Sequence, residues 1–202
     1  MQKRVKTGVP GFDGILRGGF IRGRNVLISG GVGTGKTIFG LQFIYKGAKV
    51  YNEPGVFVAL EECPSELRSD AKQFEWNFKE LEEQGKIAFI DAASCKFGLP
   101  TTEKYALHGG FDIDKLIKEI RRASKDINAS RVAIDPVEGL GLPYDNMAAI
   151  RSAIFKVSSL LRELKCTSIM TSRGPEKDRF IRYGMEEFVA QGLVILSFSE
   201  YE

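Results

Sequence analysis

A glycine-rich segment near the start of the chain has the residue types and spacing of a phosphate-binding loop. Residues 30–37 fit the pattern G-x-x-x-x-G-K-[ST], in which backbone N–H groups surround a phosphate chain. These residues are Gly30, Gly31, Val32, Gly33, Thr34, Gly35, Lys36 and Thr37. Lys36 can contact the β and γ phosphates and assist catalysis there, and the Thr37 hydroxyl can coordinate Mg²⁺. The segment predicts a site for a nucleoside triphosphate and its metal ion.

The residues on either side of this loop fit the same interpretation. The apolar run 25–29 predicts a buried strand that enters the loop, and the segment from Lys36 to about residue 52 predicts a helix that leaves it. The phosphates would then lie at a helix N-terminus, where unpaired N–H groups favour anions. The alternative is a glycine-rich turn that matches the pattern by chance. Such a turn would not require a strand before it and a helix after it.

A carboxylate after a second apolar run is the candidate metal ligand. Residues 131–135 read as a strand that ends in Asp135. Ligands of parallel sheets bind beyond the carboxyl ends of the strands, so Asp135 would face the loop and hold Mg²⁺ directly or through water. The alternative is an aspartate that only caps a helix or closes a turn.

Two further carboxylates follow another predicted strand. Glu61 and Glu62 come directly after the apolar run 56–60, so they should lie at the same edge of the sheet. A carboxylate there could orient or deprotonate the water that attacks the γ-phosphate. The alternative is a solvated pair of glutamates ahead of a proline.

The rest of the pattern predicts the framework that positions these residues. Short apolar runs typical of strands buried on both faces of a sheet occur at 26–29, 56–60, 87–90, 132–135, 167–171 and 193–198. Helical patterns lie between them, at 36–52, 64–75, 112–127 and 145–165. The alternation predicts an α/β fold, a mainly parallel twisted sheet with helices on both faces. The strands that end at Ser29 and Asp135 should be central, and 92–110 should be a loop.

Composition limits the class of protein. The 202 residues are 43% hydrophobic and 27% charged, which fits one globular domain over residues 1–202. A net charge of +3 is too small to indicate nucleic acid or an anionic membrane. The three cysteines have no metal-ligand spacing and are typical of reduced thiols. No apolar run suits a leader peptide or a membrane span, so we expect a cytoplasmic protein.

The chain resembles the KaiC branch of the RecA-like ATPases. The resemblance is carried by KTGVPGFD at 6–13, GGF at 18–20, FVALEE at 57–62, VAID at 132–135 and RYGMEEFV at 182–189. It implies a RecA-like P-loop NTPase fold, with ATP and Mg²⁺ as ligands. It also implies a homo-oligomer, a hexameric ring with ATP between subunits, in which slow ATP hydrolysis acts as a switch.

The resemblance also assigns roles to single residues. It makes Glu61 and Glu62 the catalytic pair and places Thr171 and Ser172 where the γ-phosphate is sensed. Gln191 stands where the family usually has aspartate, which favours a structural role in a turn. The family's C-terminal strand, with a Lys-x-Arg element that reaches the neighbouring subunit's nucleotide, is not found. We therefore expect feeble hydrolysis, with Arg179 and Arg182 as the remaining cations for the γ-phosphate.

Two other functions stay open at this point. A recombinase-like protein would bind DNA through loops after the strands, but the segment 136–146 contains no Lys or Arg. The segment 173–182 is more basic, with Arg173, Lys177, Arg179 and Arg182. The third interpretation is a non-catalytic regulator that binds ATP and signals to a protein partner.

Overall fold

The computed structural model describes residues 2–141, 144, 146–174 and 190–198. Its strands are β1 Arg4–Val5, β2 Phe20–Ile21, β3 Asn25–Gly30, β4 Gly55–Ala59, β5 Ile87–Asp91, β6 Tyr105–Ala106, β7 Arg131–Asp135, β8 Thr167–Arg173 and β9 Gly192–Leu196. Its α-helices are α1 Phe12–Ile15, α2 Lys36–Val50, α3 Pro64–Ala71, α4 Phe78–Glu83, α5 Ile113–Asp126 and α6 Met147–Glu163. Within these residues no helix combines the length and the apolar character needed to cross a membrane.

Within the part of the chain that the structure describes, seven strands form one sheet in which every neighbouring pair is parallel. Their order is β6-β5-β4-β7-β8-β3-β9. The predicted α/β class and parallel sheet are confirmed. β7, which ends at Asp135, is the middle strand as expected. β3 is not central: it has a strand on each side but lies next to the edge strand β9.

Alternate residues of the strands face two hydrophobic clusters, one on each side of the sheet. In β4, Val56 and Val58 pack with α5 and α6, whereas Phe57 packs with α2, α3 and α4. This alternation explains why the strand sequences are apolar throughout, since both faces are covered by helices. Helices on both faces, as predicted, bury the sheet and leave its carboxyl edge for the site.

The ends of the long helices follow their capping residues. Asp112 accepts a hydrogen bond from the Lys115 N–H at 2.8 Å, and Asn146 accepts one from the Ala149 N–H at 2.9 Å. The last helix therefore begins after Asn146, two residues later than predicted. The helix from Pro64 is shorter than predicted and ends at Ala71, where a 3-10 turn, Lys72–Phe74, continues the chain.

The prediction of a loop over 92–110 is wrong in part. Tyr105–Ala106 is a strand that pairs in parallel with β5 and forms one edge of the sheet. The Tyr105 hydroxyl donates a hydrogen bond to Asp126 Oδ2 at 2.9 Å, at the end of α5. A strand of two residues has no periodicity of its own, so the local sequence could not reveal it. The 3-10 turn Ser94–Lys96 lies in the same segment.

The lead-in motif at residues 6–13 has a structural explanation. The Asp13 carboxylate accepts hydrogen bonds from the Thr7 N–H at 2.7 Å and from the Thr7 hydroxyl at 2.8 Å. Gln42 of α2 donates to the Gly8 carbonyl at 2.7 Å. The lead-in segment is thus folded on itself and attached to the helix that follows the phosphate loop.

Candidate functional site

The glycine-rich loop has the backbone shape of a phosphate cradle. Gly33 and Gly35 have φ values of 76° and 87°, which strongly favour glycine. A Cβ on Gly30 would lie 2.5 Å from the Leu196 carbonyl oxygen, so β9 closes against the start of the loop. Lys36 Nζ donates to the Gly31 carbonyl at 2.6 Å, and the Thr34 hydroxyl donates to the same oxygen at 2.9 Å. The Lys36 amine therefore lies over the loop, where it is predicted to bind the phosphates of the nucleotide.

Asp135 joins the loop to two other segments of the chain. Its Oδ2 accepts a hydrogen bond from the Thr37 hydroxyl at 2.9 Å, and its Oδ1 accepts one from the Thr171 hydroxyl. The carboxylate is only 5% exposed. Burial raises the pKa of Asp135, and the two hydroxyl donors act against that rise. A divalent cation would stabilise the charged form in the same way.

The donor set fits Mg²⁺ bound together with a nucleotide. Thr37 and Asp135 supply one hydroxyl and one carboxylate, both hard oxygen ligands. The described residues hold no group of three or more His, Cys, Asp or Glu side chains that could form a protein cage. Mg²⁺ usually takes one or two protein ligands and completes its shell with phosphates and water. The residues present and the loop of N–H donors therefore suit a magnesium–triphosphate ligand.

Glu61 and Glu62 lie at the neighbouring strand end but in different surroundings. Leu60 N–H donates to the Asp135 carbonyl at 2.9 Å, which places the end of β4 beside the end of β7. Glu61 forms an ion pair with Arg173. Partial burial raises the pKa of Glu62, and the negative charge of Asp135 adds to the rise. The pair therefore lies near Asp135, at the edge of the sheet where the sequence pattern placed it.

The two predicted sensor residues contact two different carboxylates. Thr171 donates to Asp135, whereas the Ser172 hydroxyl donates to Glu138 Oε1 at 2.7 Å. Both lie in β8 beside β3, opposite Ile28 and Ser29. Both side chains thus form hydrogen bonds with carboxylates near the phosphate loop. Their sensing role stays a prediction.

Three residues of the site were not assigned to it by the sequence analysis, which named Arg173 only as a basic residue of the segment 173–182. Glu138, 5% exposed in the turn after β7, also accepts from the Arg173 N–H at 2.9 Å. Lys96 donates to the carbonyls of Leu60 at 2.8 Å and Gly139 at 2.7 Å. Arg173 is the ion-pair partner of Glu61. The only local signal was a charged residue close to a strand end, which is too common to select them.

The remaining predictions concern Gln191, the cysteines and the basic segment near the C-terminus. Gln191 Oε1 accepts from the Asn25 N–H at 3.0 Å, a contact at the start of β3 that fits the predicted structural role. All three cysteines, each within the described ranges, are free thiols. Arg179 and Arg182, Lys177 and the segment 182–189 lie outside the described residues.

Comparisons with known proteins identify the family of the chain. A family model described as "ATPase: KaiC" matches residues 5–202. The circadian clock oscillator protein KaiC of Thermosynechococcus vestitus is 40% identical over 195 residues, which are 96% of this chain and 36% of that protein. The chain thus spans only about a third of the length of such KaiC relatives.

Shorter archaeal proteins match over most of their length. A UPF0273 protein of Pyrococcus horikoshii is 43% identical over 204 residues, 100% of this chain and 81% of that protein. One of Methanocaldococcus jannaschii is 41% identical and covered to 82%. The crystal structure of a KaiC-like protein of Pyrococcus horikoshii superposes with a TM-score of 0.82 at 40% identity, covering 96% of this chain and 81% of that one.

Proposed function

Because the chain belongs to the KaiC family of ATPases, we propose that it binds ATP with Mg²⁺ and hydrolyses it slowly to ADP and phosphate. The observation that carries the proposal is the hydrogen bond of 2.9 Å between the Thr37 hydroxyl and the Asp135 carboxylate. It joins the phosphate loop to the carboxylate of the middle strand at one point, where a magnesium–triphosphate ligand needs both.

The residues of the chain divide the work of hydrolysis. Backbone N–H groups of the loop and Lys36 hold the triphosphate. A carboxylate of the pair Glu61 and Glu62 accepts a proton from water, whose oxygen forms a bond to the γ-phosphorus. The bond from that phosphorus to the bridging oxygen breaks, and its electron pair stays on ADP. Mg²⁺ bound at Thr37 and Asp135 would neutralise charge on the β and γ phosphates.

The nucleotide serves as a switch in a cytoplasmic homo-oligomer in this proposal, with residues 1–202 acting as one domain. The phosphate loop surrounds the triphosphate from one side, and Val32 at its tip is 95% exposed. A second copy of the chain could cover the other, open side, as in the hexameric ring implied by the family. Conversion of ATP to ADP would then change the contact between copies.

The DNA-binding alternative gains no support. Of the four basic residues in the segment 173–182, only Arg173 is described, and it pairs with Glu61. A non-catalytic regulator would be distinguished by ATP binding without phosphate release.

The test compares Lys36→Ala with Lys49→Ala. Lys49 is a control on the same helix, because its amine pairs at the surface with Glu80 at 2.9 Å. We expect Lys36→Ala to weaken ATP binding about 10- to 100-fold, as for the loss of a hydrogen bond between charged groups, and to abolish phosphate release. Lys49→Ala should match the unsubstituted chain. Equal ATP affinity in the two variants would refute the site.

A further inference from the structure

Arg173 places a guanidinium group at the candidate catalytic glutamates. It is the last residue of β8, and its Nη2 contacts Glu61 Oε2. The Arg173 side chain is 51% exposed, whereas that of Glu61 is 24% exposed. The pair is therefore open to solvent on the arginine side. An exposed ion pair of this kind adds little to stability, so it can exchange partners readily.

The backbone of Arg173 is fixed much more firmly than its side chain. The Arg173 N–H donates to Glu138 Oε1 at 2.9 Å, and the same oxygen accepts from Ser172 at 2.7 Å. The next N–H, of Gly174, donates to the Gly30 carbonyl at 2.8 Å. Gly30 and Arg173 are also opposite each other in the pairing of β3 with β8. A long cationic side chain thus starts from a fixed point beside the first residue of the phosphate loop.

The charge of Arg173 acts on the loop lysine. Burial lowers the pKa of Lys36, and the positive charge of Arg173 lowers it further, while Asp135 and Glu138 act in the opposite direction. The guanidinium therefore belongs to the same electrostatic site as the lysine that binds the phosphates.

We propose that Arg173 is a further catalytic residue, a cation supplied by the same chain that leaves Glu61 and binds the γ-phosphate of ATP. The inference rests on the proposed ATP hydrolysis. A guanidinium binds phosphate oxygens with two parallel N–H donors, and the γ-phosphate carries more charge than a carboxylate. The exchange has two effects: it stabilises charge on the transferred phosphoryl group, and it releases Glu61.

The reaction remains balanced with Arg173 in this position. Arg173 takes no part in the proton transfer, because a guanidinium offers N–H donors and no acceptor. The proton from the attacking water goes to the carboxylate pair, and Arg173 transfers no atom. Its contribution is electrostatic, and in other phosphate-loop enzymes an arginine that stabilises charge on the transferred phosphoryl group raises the rate about 10³- to 10⁵-fold.

The test uses Arg173→Gln and Arg173→Lys, with Arg121→Gln as the matched control. Arg121 forms an exposed pair with Glu163, so its replacement breaks a similar arginine–glutamate contact on the surface between α5 and α6. We expect Arg173→Gln to lower kcat about 10²-fold or more and to change KM much less. Arg173→Lys should recover part of the rate, because a charge remains without the two-pronged contact.

A binding measurement separates this role from a structural one. Arg173 is proposed to contact the γ-phosphate alone, so Arg173→Gln should weaken binding of a non-hydrolysable ATP analogue about 10-fold and leave ADP binding unchanged. Equal loss for both nucleotides would assign Arg173 to the fold of the site and overturn the inference. If the unsubstituted chain hydrolyses ATP and Arg173→Gln matches Arg121→Gln, only the Arg173 inference fails. Absence of ATP binding by the unsubstituted chain would remove the proposed function and this inference together.

Discussion

Glu61 and Glu62 are adjacent in sequence but are held in different ways. Glu61 is paired with Arg173, whereas partial burial and nearby carboxylates raise the pKa of Glu62. A raised pKa makes a carboxylate a stronger base, and a group that is not held by an arginine can turn toward water. Glu62 is therefore the better candidate for accepting the proton, and Glu61 for orienting the water.

Replacing the two glutamates one at a time tests this division. Glutamine keeps the shape of the side chain and removes its basicity. We expect Glu62→Gln to lower kcat about 10²-fold or more, and Glu61→Gln to lower it less, with ATP still bound in both. The measurements are phosphate release and ATP binding. Near-normal turnover in the double variant would return the pair to the interpretation of solvated glutamates.

Local patterns predicted part of this site and could not predict the rest. The phosphate loop, Asp135 and the glutamate pair each stand in a recognisable order after an apolar run. Glu138 and Arg173 matter because β8 lies between β7 and β3, which brings their strand ends together. The strand order is decided by packing over the whole chain, so no local spacing marks these two residues.

At the scale of elements, long periodic segments were predicted well and short ones were not. All six strands expected from apolar runs are present. Five of them are buried on both faces, whereas Leu193 and Ile195 of β9 are exposed. The two-residue strands and the short helices α1 and α4 were missed. Their formation depends on neighbours in space, such as β5 for Tyr105–Ala106, rather than on their own sequence.

The side-chain amine of Lys96, in the 3-10 turn Ser94–Lys96, contacts three other segments of the chain. Lys96 donates to the Leu60 carbonyl after β4 and to the Gly139 carbonyl after β7, and it lies 4.5 Å from the centre of the Phe111 ring. Burial lowers the pKa of Lys96 to about 8, against the opposing charges of Cys95 and Glu61.

This lysine should give a recognisable dependence of stability on pH. Between about pH 8 and the ordinary lysine value of 10.5, the unfolded chain holds a proton that the folded chain has released. The free energy of unfolding contributed by Lys96 therefore rises with pH across this window. We expect urea unfolding to show that the free energy of unfolding of the unsubstituted chain increases relative to that of Lys96→Met between pH 7.5 and 9.5.

The control for this experiment is Lys118→Met, at an exposed position of α5. Its difference from the unsubstituted chain should be the same at both pH values. A constant difference for Lys96→Met as well would mean that its amine does not titrate in this range.

At the scale of the whole molecule, the sheet presents the site on one open edge. The ends of β3, β4, β7 and β8 supply the loop, the glutamates, Asp135 and Arg173. Helices cover the two faces of the sheet and leave the candidate site open on one side. In the proposed homo-oligomer, a further copy of the chain would cover that side.

Assembly should therefore depend on the nucleotide. We expect the particle mass in solution to increase when Mg-ATP is added, toward that of six copies. Lys36→Ala, whose ATP binding should be weakened about 10- to 100-fold, is the control, and at ATP concentrations below its Kd it should keep the mass seen without nucleotide. Light scattering with and without Mg-ATP, beside phosphate release, is the measurement. Brisk hydrolysis by a chain that stays monomeric would show that one copy forms a complete site.

The position of β3 in the sheet has a consequence for biosynthesis. The strand that enters the phosphate loop pairs with β8 and β9, more than 130 residues later in the chain, and not with β4. As the protein leaves the ribosome, the complete glycine-rich motif emerges early, while neither neighbour of its strand has been made. The pairing of β3 with β8 and the hydrogen bond from Thr171 to Asp135 can form only after Thr167–Arg173 has been synthesised. If ATP binding requires them, its onset in a growing chain would report that β8 has paired with β3.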